Sequence, residues 1–178
     1  MALRSFRGQS PRIHDTCFVE SSAQIIGDVT LEEGASIWFN AVVRGDVNPI
    51  RVGPRSNIQD LCLIHVLSDR YSTSVGEDVT VGHHVVLHGC TVGNRVLVGV
   101  GAIVLDGVEI GDDCIIAAGA VLTPGTHVPA GSLVMGMPGR VNRLLNEGEK
   151  ASVLQSAKRY VTLAEEYRLS HRGLSHGA

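Results

Sequence analysis

From Val19 onward a large aliphatic residue returns every six positions, at Val19, Ile25, Leu31, Ile37 and Val43. After a three-residue insertion the series resumes at Val52, Ile58 and Ile64. A five-residue insertion around Ser68 to Ser72 follows, and then Val75, Val81 and Leu87. One hexad is a residue short, and the series continues at Val92, Val98, Val104, Ile110, Ile116, Leu122, Val128 and Val134. The fifth residue of each hexad is nearly always small: Ala23, Val29, Ala35, Ala41, Val47, Ser56, Cys62, Val79, Val85, Val96, Ala102, Val108, Cys114, Ala120, Thr126 and Ser132. Nineteen hexads with two restricted positions each constitute an internal repeat, and a repeat of this kind governs the fold.

The repeat predicts an all-β solenoid over residues 19–139. Each hexad is a short strand plus a turn, with the first and fifth side chains pointing inward. The second position is often glycine (Gly76, Gly82, Gly93, Gly99, Gly111), which the sequence assigns to the turn backbone. Three hexads close a triangle, so a coil takes about eighteen residues and coils stack roughly 4.8 Å apart. About six coils follow, none stable alone. Residues 1–18 form a lead-in. Over 147–170 the apolar positions Val153, Leu154, Ala157, Tyr160, Val161, Ala164 and Tyr167 recur with helical spacing, which predicts one helix packed along the prism. The polar tail 171–178 is expected to be disordered.

Composition narrows the setting. Aromatic content is 4% against 44% hydrophobic residues, so the interior is narrow and filled by small aliphatics. A net charge of -3, with no basic run, gives no reason to expect a nucleic-acid or membrane partner. Cys17, Cys62, Cys90 and Cys114 form no CxxC pair, and the first residues carry no apolar run of the secretory kind. The expectation is a soluble cytoplasmic protein with free thiols. Cys62 and Cys114 occupy core positions, and Cys90 is read as packing.

Candidate chemistry lies in GHHVVLHGC, residues 82–90. Residues five apart on a strand face opposite ways, which argues against His83 and His88 holding one ion in one chain. On the prism the hexads of Val43, Ile64 and Leu87 share a face in successive coils. Their second positions therefore stack Arg44, His65 and His88 in an exposed column. His83 falls on the preceding face, with Asp60 beneath it and Gln59 beside that. Two half-sites on two faces predict a homotrimer with a metal at each interface, His65 and His88 from one chain and His83 from its neighbour. Three histidines leave an open coordination position, as a catalytic zinc requires. His84 is assigned to a turn at the rim, and His14, His127, His171 and His176 to loops or tail. Trp38 and Phe39, on the His83 face, are expected at the trimer interface.

RGD at 44–46, NIQD at 57–60, His65 and GHHVVLHGC resemble the γ-class carbonic anhydrases, members of the hexapeptide-repeat family with its left-handed parallel β-helix. The resemblance spans about the first 140 residues. It implies reversible hydration of CO2 to bicarbonate by a metal-bound hydroxide, with Zn2+, Fe2+ or Co2+ held by the residues matching His65, His83 and His88. It further implies that Gln59 bonds the hydroxide, that Arg44 and Asp60 pair across subunits, and that Asn57 lies near the active site. Tyr160 is the candidate for a C-terminal tyrosine that approaches the site in some relatives. The sequence departs from the archetype at Val47 and Asn48, where a glutamate follows RGD, and in the loop VLSDRYSTS, whose one acid is Asp69. A metal-dependent thioesterase or acyl hydrolase, a hexapeptide acyltransferase and a weakly catalytic scaffold or assembly protein stand as alternatives.

Overall fold

In the computed structural model, which describes residues 2–174, the hexads become strands of two or three residues stacked in parallel register. On one face the aliphatic rungs align as Val19, Ile37, Ile58, Val81, Val98, Ile116 and Val134. Seven rungs make a parallel β-solenoid of about seven coils, one more than expected. The first and fifth positions line the interior, and the hydrophobic core runs unbroken from Ala23 to Val134. Burial pushes the Cys62 and Cys90 thiols up to about 12, and all four cysteines are free.

Two sequence assignments change. Val47 is 36% exposed, and Ile50 takes the inward fifth position, paired with Val29 in the coil before and Thr73 in the coil after. The three-residue insertion therefore bulges outward within Asp46–Pro49 rather than following the hexad. The second-position glycines are not the turn residues either. A Cβ at Gly99 would lie 2.5 Å from the Ala118 nitrogen, so these glycines admit the backbone of the next coil. The left-handed residue is the fourth of most hexads, as at Arg55, Leu61, Asp78, His84, Arg95 and Asp113. Such a conformation costs a side-chain-bearing residue about 1 kcal/mol or more. It turns the amide toward the coil beneath: His84 N–H donates to the Asp60 carbonyl at 3.0 Å and Arg95 N–H to Glu77 at 2.9 Å.

The lead-in is structured. Strands Ala2–Arg4 and Arg12–Ile13 both pair in parallel with Gln24–Leu31, extending the sheet past the first coil. At the other end Ser132–Gly136 and Gly139–Leu144 form an antiparallel hairpin that leads into the helix Glu147–Leu174. Asn146 caps that helix: its side-chain oxygen accepts from Glu149 N–H, and the Glu149 carboxylate accepts from Asn146 N–H, both at 2.9 Å. The helix runs four residues past the expected Ser170. The last four residues of the tail expected to be disordered, 175–178, lie outside the described residues.

The helix covers the face that carries Phe18–Val19, Ser36–Ile37, Asn57–Ile58 and Thr80–Val81. Trp38, 3% exposed, is sealed there by Phe18 at 5.0 Å and by Tyr160 and Tyr167 edge-on at 5.3 Å. Each such ring pair contributes about 0.5–1.5 kcal/mol beyond its burial. Trp38 and Phe39 were expected at a subunit interface. They are instead part of the cluster beneath the chain's own helix, because that helix supplies the aromatic partners.

Candidate metal centre

The stacking register brings His65 and His88 together. They are direct cross-strand partners in adjacent coils, next to the paired rungs Ile64 and Leu87. Their ring centroids lie 5.1 Å apart, with His65 Nδ1 3.1 Å from His88 Nε2. Each far nitrogen meets a carboxylate: His65 Nε2 lies 2.9 Å from Asp46 Oδ1, and His88 Nδ1 lies 2.6 Å from Asp106 Oδ1. A carboxylate can only accept, so both far nitrogens carry the proton. With both imidazoles neutral, the two near nitrogens face each other 3.1 Å apart as acceptors, a contact that a shared proton or a bound metal ion would relieve. Two acceptors repel at that distance unless a positive centre lies between them.

Two nitrogens bound to one tetrahedral zinc, with bonds of about 2.0–2.1 Å, sit about 3.3 Å apart. The observed separation and the carboxylate behind each imidazole both fit a divalent metal. One chain does not complete the set: among the described residues no three His, Cys, Asp or Glu side chains gather as a metal-holding group.

Asp46 links the column to Arg44. It accepts from Arg44 Nη1 on one oxygen and from His65 on the other. Burial alone would raise the Asp46 carboxyl, but hydrogen bonds from His65 and then Arg44 outweigh it and hold it below its ordinary value.

Around the prism edge, His83 Nδ1 lies 2.6 Å from Asp60 Oδ2, the residue predicted to lie beneath it. Gln59 and Asn57 occupy the same face and are buried. Gln59 Nε2 donates to Asn57 Oδ1 at 3.1 Å, and Asn57 Nδ2 donates to Thr80 Oγ1 at 3.1 Å. The Gln59 amide is therefore held in one orientation. Tyr160 belongs to this face, against Trp38; burial first and the Asp60 charge second raise its phenol above the ordinary value. His84 is exposed at the edge in a left-handed turn. Within one chain Arg44 pairs with Asp46 and Asp60 with His83, rather than with each other.

One residue of the cluster escaped the sequence reading. Asp106 sits one coil beyond His88 but one position past the column residue Leu105, so the stacking register leads only to its neighbour. A second overlooked feature is an outward aliphatic ladder, Val42, Leu63, Val86, Ile103 and Val121, aligned beside the histidine column. Leu63 in it is 39% exposed, and the strand Gly139–Leu144 reaches only the Val121 end of this face.

Residues 89–124 match the family model described as bacterial transferase hexapeptide (six repeats). The chain is 55% identical over 83% of its length, and 92% of the relative's, to a protein of Methanocaldococcus jannaschii named "Probable carbonic anhydrase". It is 43% identical over 88% of its length to mitochondrial gamma carbonic anhydrase 2 of Arabidopsis thaliana, of which it spans 58%. A solved hexapeptide transferase family protein from Anaplasma phagocytophilum superposes with a TM-score of 0.90 at 40% identity, covering 93% of this chain and 98% of that one. No helix among the described residues is long and apolar enough to cross a membrane.

Proposed function

This chain belongs to the gamma carbonic anhydrase family of hexapeptide-repeat proteins, and on that premise we propose that it hydrates CO2 reversibly to bicarbonate at metal sites shared between the subunits of a homotrimer. The observation that carries the reading is the pair of facing imidazole nitrogens on His65 and His88, 3.1 Å apart, with each ring's far nitrogen backed by a carboxylate. His83 faces another side of the prism, so the third ligand comes from a neighbouring chain. The half-buried ladder from Val42 to Val121, beside the half-site and exposed at Leu63, supplies the apolar surface for that neighbour.

His65 and His88 with a neighbouring chain's His83 would hold Zn2+, or alternatively Fe2+ or Co2+, which when bound would supply the Lewis acidity that makes water a nucleophile near neutral pH. The chain's own groups set up the rest. Asp46 and Asp106 keep the protons of His65 and His88 on their far nitrogens, so the near ones stay available as donors to the metal. Gln59, fixed through Asn57, presents a polar amide that orients the reacting oxygen. Arg44 neutralises Asp46 and keeps that carboxylate from competing for the metal. The residues 47–48 and the loop after His65 bring no glutamate to this region, and proton removal falls to solvent or buffer.

The test is stopped-flow CO2 hydration on zinc- and iron-loaded protein, with light scattering for the assembly. Hydration by a metal-loaded trimer supports the reading; a stable metal-loaded monomer sinks it. A second reading, acyl transfer, is favoured by the high structural likeness to a protein named as a hexapeptide transferase. It predicts activity toward an acyl thioester that survives removal of metal.

A further inference from the structure

We propose that Asp106 and Tyr71 are positioning residues: Asp106 fixes the tautomer and aim of His88, and Tyr71 holds Asp106 in place. The inference rests on the metal reading above for its purpose, but its geometry stands alone. Asp106 Oδ1 lies 2.6 Å from His88 Nδ1, and among the described residues Asp106 makes no ion pair with an arginine or lysine. Asp46, behind His65, divides its charge between His65 and Arg44. The whole charge of Asp106 is thus directed at one imidazole, which strengthens the donor nitrogen of His88 more than Asp46 strengthens that of His65.

Two glycines make the arrangement possible. A Cβ at Gly89 would lie 2.4 Å from the Asp106 carboxylate and 2.9 Å from Tyr71 Cβ. One at Gly107 would lie 3.0 Å from the Tyr71 ring. Both glycines are left-handed, and Gly107 N–H donates to the Gly89 carbonyl at 2.7 Å. The bare backbone at these two turns is the floor on which Tyr71 lies, bordering the same space as the Asp106 carboxylate. The Arg70 guanidinium lies 5.3 Å from the Tyr71 ring centroid.

The loop that delivers Tyr71 is the five-residue insertion found in the sequence. It closes on itself through Leu67 and Tyr71, and its end is tied to the site by Thr73 Oγ1, which donates to the His65 carbonyl at 2.6 Å. Asn48 donates to the Leu67 carbonyl at 3.0 Å, linking it to the first insertion. Both insertions in the hexad series thus meet at the edge that flanks the histidine column. The second carries a wedge for the Asp106 carboxylate behind His88.

The test uses the full chain, metal-free and 15N-histidine-labelled, at alkaline pH, followed by zinc titration against a competing chelator. Wild type is expected to show His88 with its proton on Nδ1. Asp106→Ala should move that proton toward Nε2 and weaken zinc binding by roughly 10–100-fold, the range for loss of a carboxylate behind a ligand histidine. Tyr71→Ala should shift both readouts the same way by less, while Tyr71→Phe, which keeps the ring, matches wild type. An unchanged His88 tautomer in Asp106→Ala, or unchanged zinc affinity in Asp106→Ala where wild type binds zinc, overturns the proposal. If wild type takes up no zinc yet the tautomer shifts, the positioning role stands and the metal reading falls.

Discussion

Two columns run along this prism with the same spacing and opposite outcomes. One edge stacks fourth-position residues as Gly34, Arg55, Asp78, Arg95, Asp113 and Gly131; from Arg55 on, each amide donates to a carbonyl of the coil before, and Gly34 N–H donates to Thr16 Oγ1. Arg55 grips both oxygens of Asp78 at 2.8 Å, and Arg95 grips both of Asp113 at 2.7 and 3.0 Å. Its positive and negative charges alternate and are consumed within the chain. The other column, Arg44, His65 and His88, also has its carboxylates, yet they bind the far sides of the rings. Two ring nitrogens are left facing each other 3.1 Å apart, with no carboxylate or arginine between them. A stacked polar column that satisfies itself holds a solenoid together; one that leaves matched groups unsatisfied points to a ligand.

The largest break in that contrast should come from His88→Ala. Metal content and CO2 hydration should both fall to background, a greater loss than the roughly 10–100-fold expected for a carboxylate behind a ligand. Metal analysis and stopped-flow rates check it, with the melting temperature little changed. Next is Leu63→Asp, which puts a charge in the middle of the half-buried ladder. It should convert trimers to monomers in sedimentation velocity and remove activity while each chain stays folded. Gly99→Ala attacks the stacking common to both columns. Its Cβ meets backbone at 2.5 Å and should cost about 1–3 kcal/mol, the range of overpacking, in thermal unfolding.

Smaller effects belong to the paired edge. Asp78→Asn should cost about 1 kcal/mol or less, because Arg55 is half exposed and solvent screens the pair. Zinc affinity should not move. The smallest concerns pH. Asp113 is held below the ordinary carboxylate value, first by its hydrogen bonds from Arg95. Its contribution is therefore complete above the ordinary value of about 4 and disappears as pH falls through the lowered one. Melting temperatures between neutral and acid pH should fall slightly more steeply for wild type than for Asp113→Asn. An equal slope would remove Asp113 from the account of the edge.

Most of the solenoid was readable because its signal is redundant. Many hexads repeat the same two restricted positions, and the chain offers no other way to bury them. The histidine column was readable for the same reason: once Val43, Ile64 and Leu87 share a face, Arg44, His65 and His88 must share a column. Apart from the second-position glycines, which admit the next coil rather than make the turn, the failures lie where the repeat is interrupted or says nothing. Val47 matched the small fifth position, yet the insertion let Ile50 take its place. Trp38 and Phe39 looked available to a second chain until the helix covered them with Tyr160 and Tyr167. Asp106 carried no motif, and only its distance to His88 Nδ1 identifies it.

By itself, then, the sequence determined the repeat, the stacking of the rungs away from the first insertion and the separation of His83 from His88 onto different faces. These follow from periodicity, which is a property of the chain. The tertiary structure alone decided which way each imidazole points, which carboxylate stands behind it and which face stays open. Those depend on rotamers, on where inserted loops fold back and on which surface a terminal helix reaches first. They are outcomes of competition between distant segments, and no hexad encodes them.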